Sequence, residues 1–159
     1  MLCEAVLGRI EEERFEGMDI DYVDISWDEA FKRIHKKISE KGTELGIRLG
    51  EAVLVTGLRT GQVLGIEENT AYVVRILAAE ALVITVASDH PRMVAKVCYE
   101  IGNRHAPLFW GEGELEFVTP YTEPMKEMLH KLHGVTVRKE SMVFDFDKRI
   151  SASVHSHTH

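Results

Sequence analysis

Cysteine is scarce in this chain. Cys3 and Cys98 lie far apart in 159 residues and form no CxxC pair, so reduced thiols and a cytoplasmic setting are the simpler reading. No apolar run approaches the ~20 residues needed to cross a bilayer, and Met1-Leu2-Cys3-Glu4 opens without the basic and apolar regions of a signal peptide. Neither membrane insertion nor export is expected. Basic charge is also short: 19 Lys and Arg face 26 Asp and Glu, a formal net charge of −7. Phosphate contacts need clustered cations, so nucleic acid is not expected as the main partner. Enzyme signatures are missing too. There is no GxxxxGK(S/T) phosphate loop, no GxSxG elbow and no HExxH, and nothing near Asp145 and Asp147 completes an acid/base constellation. The chain is not expected to be an enzyme.

What is present is a core-forming composition and a surplus of histidine. Hydrophobic residues make up 45% of the chain, enough for one ordinary domain or two small ones. Three of the eight histidines, His155, His157 and His159, fall in the last five residues.

Residues 1–76 read mostly as short strands. Asp19 to Ile25 alternates with period two, and Ser26-Trp27-Asp28-Glu29 fits a capping box that predicts a short helix. Ser39 to Thr43 reads as a hairpin turn followed by a return strand through Leu45, Ile47 and Leu49. Ala52 to Val55, Gln62 to Ile66 and Ala71 to Ile76 supply further strand candidates. A second rhythm begins near Leu77. A buried-type strand over residues 81–87 precedes a helix opened near Pro91, whose apolar stripe is Met93, Val94, Val97, Cys98 and Ile101. Gly102-Asn103 is the expected stop. A hairpin around Gly111-Glu112-Gly113 follows, then a helix from Thr122-Glu123-Pro124 closed by Gly134, then a last extended segment. The expected fold class is therefore α+β: a small β-rich domain over 1–76, a ferredoxin-like βαββαβ domain over 77–150, and a flexible histidine tail over 151–159.

The chemistry points to metal. Alternating imidazoles in Val154-His155-Ser156-His157-Thr158-His159 suit borderline ions such as Ni(II), Cu(II) and Zn(II). Their spacing differs from the consecutive histidines of a purification tag. His105 lies about one turn beyond Ile101. A lone histidine beside an apolar stripe is more often structural than a ligand. If that stripe packed against its copy in a two-fold dimer, however, two His105 side chains could share one ion, with tail histidines completing the set. His130 and His133, three apart on the second helix, could reach one ion, but a solvated helix end favoured by the dipole explains them more simply. His35 and His90 are given no role.

Tyr99-Glu100-Ile101-Gly102-Asn103-Arg104-His105-Ala106-Pro107-Leu108 resembles the Y-x-(L/I)-G-N-R-H-x-P-L signature of the urease accessory protein E family. The resemblance extends over nearly the whole chain. Gly61-Gln62-Val63-Leu64 is similar to the family's G-D-x-L turn, with Gln62 in place of the acid. It implies a cytoplasmic, homodimeric nickel metallochaperone, or a dimer of dimers. His105 and its symmetry mate would bind Ni(II) at the dimer interface, helped by His155, His157 and His159, with Zn(II) or Cu(II) able to substitute. The implied partners are a GTP-binding urease accessory protein and the urease apoprotein, with an N-terminal domain that binds proteins. Some members carry a histidine pair where this chain has Tyr121-Thr122-Glu123-Pro124, so an accessory site there is not expected. Two rival readings remain: a general copper, zinc or nickel buffer, and a protein-interaction module with a structural metal.

Overall fold

The computed structural model describes residues 1–150. They divide into two compact units, Met1–Leu77 and residues 78–150. The first holds β1 (Leu2–Cys3), β2 (Gly8–Arg9), β3 (Asp19–Ile25), β4 (Ile34–Ile38), β5 (Glu44–Arg48), the helical turn α1 (Val53–Thr56), β6 (Gln62–Glu67) and β7 (Thr70–Ile76). The second holds β8 (Ala79–Val86), α2 (Met93–Asn103), β9 (Phe109–Trp110), β10 (Glu116–Pro120), α3 (Glu123–His130) and β11 (Val135–Met142).

Two sheets build the first unit, in the orders β1-β5-β4 and β2-β6-β7-β3. The period-two pattern of β3 turns Val23 and Ile25 inward, and with them Asp21. A carboxylate buried without partners would be costly. Here Ser39 Oγ donates to it at 2.6 Å and the Lys41 amide at 3.0 Å, so the charge is satisfied by the turn between β4 and β5.

Two local expectations fail in this unit. The Ser26–Glu29 pattern starts no helix: residues 27–31 are turns, and the chain runs on into β4. In a capping box each side chain serves a backbone amide. Here Ser26 Oγ donates to Glu29 Oε2 at 2.9 Å and Lys37 Nζ reaches the same oxygen at 2.6 Å, so the carboxylate is taken by side chains. Lys37, then Ser26, holds that carboxyl down at about 2. Residues 52–55 were expected as strand but form α1, with Thr56 and Gly57 amides bonded to the Ala52 and Val53 carbonyls. A short apolar run is ambiguous in period. This one buries Val53 alone and leaves Leu54 and Val55 exposed.

In the second unit the order is β11-β8-β10-β9, with every neighbouring pair antiparallel. With α2 and α3 interposed, this is the ferredoxin-like βαββαβ arrangement. Alternate residues of β8 (Leu82, Ile84, Val86) share one core with Val97 and Ile101 of α2 and Met125 and Leu129 of α3. Each such side chain contributes about 1.5–3 kcal/mol by leaving water. α3 starts where the sequence puts it: Thr122 Oγ1 accepts the Met125 amide at 3.2 Å, with a proline in the first turn. No helix among the described residues is long and apolar enough to cross a membrane.

Candidate metal centre

The stripe Met93, Val94, Val97, Cys98 and Ile101 lies on its own subunit's sheet, with Val97 and Ile101 fully buried. It is therefore not available to a copy, contrary to the packing considered from sequence. Solvent sees the other face of α2, where Ala95, Tyr99 and Gly102 are exposed and Tyr99 reaches 68%.

α2 ends at Asn103, where the Gly102-Asn103 stop is expected, and the chain reverses its handedness two residues later at His105, whose φ is +55°. The His105 amide donates to the Gly102 carbonyl at 2.9 Å and the Ala106 amide to the Ile101 carbonyl at 3.3 Å. This pair of bonds is the Schellman motif, and the apolar contact that accompanies it is made by Ile101 and Ala106 within the core. Glycine usually holds the left-handed position, because a side chain there costs about 1–2 kcal/mol. A histidine holds it here, and its ring is exposed.

Neighbouring contacts fix the residues on either side. Arg104 Nη1 turns back along the helix to the Glu100 carbonyl at 2.9 Å and the Glu100 carboxylate at 2.6 Å. Buried Thr119 donates to the Pro107 carbonyl at 2.8 Å. The Ile150 amide donates to the Leu108 carbonyl at 2.9 Å, and Phe109 pairs with Arg149. Thus the last described residue is bonded three positions after His105.

The remaining candidates distribute unevenly. His155, His157 and His159 lie outside the described residues. His130 is the last residue of α3, while His133 lies beyond it in the following turn, so the two do not share a helix as the spacing suggested. His133 instead meets His90, with ring centres 4.6 Å apart and planes at 70°. His90 Nδ1 is 2.8 Å from Asp89 Oδ1, a bond that holds the Asp89 carboxyl below its ordinary range. No signal in the sequence joins residues this far apart. His35 is buried, with Nε2 at 2.9 Å from the Lys32 carbonyl, and burial pushes its imidazole down. Among the described residues, no three His, Cys, Asp or Glu side chains are gathered to hold an ion. Where the turn before β6 has Gln62 for an acid, Gln62 Oε1 accepts the Arg59 amide at 2.8 Å, supplying the acceptor in neutral form.

The family models for the UreE urease accessory protein match this chain over residues 3–79 (N-terminal domain) and 80–159 (C-terminal domain). The chain belongs to the UreE family. It is 39% identical over 163 residues to the urease accessory protein UreE of Acetivibrio thermocellus, covering 100% of both chains. It is 38% identical over 154 residues to that of Helicobacter pylori strain P12 and 37% to that of Helicobacter acinonychis, in each case 97% of this chain and 88% of the relative. The family model and these relatives are named as urease accessory proteins. The exposed, left-handed histidine therefore sits in the C-terminal domain of a UreE chain.

Proposed function

We propose that this chain is a homodimeric nickel metallochaperone that delivers Ni(II) to apo-urease, with a GTP-binding accessory protein as its partner in the handover. The observation that carries the reading is the root of the tail. Ile150 is tied to Leu108, three residues from His105. His155 follows five residues after Ile150, and five extended residues reach at most about 18 Å. A chain of that length beginning at Ile150 is long enough to bring the His155 imidazole to His105. Two His105 rings and tail nitrogens are a borderline donor set suited to Ni(II), and the open face of α2 around Tyr99 supplies a surface for the two-fold contact.

Free imidazole protonates near pH 6.5, so nickel binding weakens as pH falls below about 6. Calorimetric titration of the full chain with Ni(II) at pH 7.5 tests the ligand set. The substitution His105→Ala removes the tightest step, and replacing His155, His157 and His159 together with alanine lowers the number of ions bound. Undiminished tight binding in His105→Ala would overturn the assignment. The donors also accept Cu(II) and Zn(II), so delivery is tested separately. Cells lacking this protein lose urease activity at limiting nickel if it is a nickel carrier, and keep it if it is a general metal buffer.

A further inference from the structure

We infer that His90 and His133, with Asp89 orienting the His90 ring from behind, form a second, independent two-nitrogen site for a borderline divalent cation at the end of the ferredoxin-like sheet opened by β8. Three observations converge on it. The ring centres of His90 and His133 are 4.6 Å apart. A metal–imidazole bond of about 2.1 Å places each ring centre about 3.2 Å from the ion, so two adjacent ligands sit roughly 4.5–5.5 Å apart. The observed spacing already lies in that range.

Asp89 supplies the second. With Oδ1 at 2.8 Å from His90 Nδ1, the carboxylate leaves Nε2 as the coordinating nitrogen, the carboxylate–histidine–metal arrangement that orients many ligands. The third is rigidity. The Ala87 amide donates to the Gly134 carbonyl at 2.8 Å, and the His90 amide to the Ala87 carbonyl at 2.9 Å, so the turns carrying the two rings are bonded to each other. Gly134, at φ +72°, lets His90 lie directly on its backbone. A Cβ added there would come within 2.8 Å of the His90 Cβ and Cγ. Both rings remain open to solvent, His90 at 34% of its side chain. Two protein nitrogens leave the other positions to water, so the site is weak and exchangeable.

Ni(II) is the probe. In the full chain carrying His105→Gln, His155→Gln, His157→Gln and His159→Gln, calorimetry should retain one binding step per chain. Adding His90→Gln or His133→Gln should abolish that step, Asp89→Asn should weaken it about tenfold or more, and His130→Gln should leave it unchanged. Paramagnetic broadening of the His90 and His133 ring signals in the unsubstituted chain gives a readout that survives if a variant misfolds. No residual step, a step removed by His130→Gln alone, or sharp His90 and His133 signals in saturating Ni(II) would each reduce the pair to an edge-on ring contact and overturn the site. Because the background lacks every ligand of the proposed carrier site, either result can be obtained whether or not that reading holds.

Discussion

The two helices of the ferredoxin-like unit leave their last turns in opposite ways. After α3 the left-handed residue is Gly134, and the space above it is filled by His90. After α2 it is His105, and its side chain stands in solvent. Glycine solves the geometry where a neighbour must pack close. Histidine carries the backbone penalty where its side chain stands exposed to solvent. The helix starts differ as well, with a threonine cap on α3 and no side-chain cap at Arg92 on α2.

Four measurements sharpen or break that contrast. The largest effect is expected for Gly134→Ala, which combines the left-handed penalty with overlap on His90. Chemical denaturation should show a loss of about 2 kcal/mol or more, and a loss below about 0.5 kcal/mol would mean the turn relaxes freely. Next comes Thr122→Ala, which removes the α3 cap and should cost about 1 kcal/mol, while Arg92→Ala at the uncapped start of α2 should leave the midpoint nearly unmoved. Third, His105→Gly should raise stability by about 0.5–1 kcal/mol as it abolishes the tightest nickel binding. A variant that loses both binding and stability would show the imidazole to be a packing group.

The smallest effect concerns the opposite kind of histidine. His35 is buried and its imidazole is held below its ordinary value, first by desolvation. The folded chain therefore binds fewer protons than the unfolded chain just below pH 6.5. Stability should fall as pH drops from about 6.5 toward the lowered folded value, and His35→Gln should flatten that slope in urea titrations. Glu29 follows at lower pH. Its carboxyl titrates at about 2 in the fold, so its contribution is complete above the ordinary carboxylate range and fades as pH falls toward 2.

Much of this was legible in the residues. Thr122-Glu123-Pro124 announced α3 because a hydroxyl cap and a first-turn proline are local physics, and Gly111-Glu112-Gly113 marked the β9–β10 hairpin for the same reason. The Ser26–Glu29 pattern misled because Lys37, distant along the chain, claims the carboxylate. Gly102-Asn103 marked the end of α2, but the left-handed residue two positions on is a histidine, which has no compositional signal in that role. The His90–His133 contact was invisible from sequence, because it depends on β8 and β11 pairing so that Ala87 meets Gly134.

By itself the sequence determined the order of elements, the ferredoxin-like half and His105 as the residue worth testing, because periodicity, caps and a ten-residue motif act over short chain distances. Tertiary structure decided which face of α2 is open, that His105 takes a left-handed turn, that Ile150 is tied to Leu108, and which histidines meet. Those outcomes follow from strand register and core packing, which join residues by space rather than by sequence.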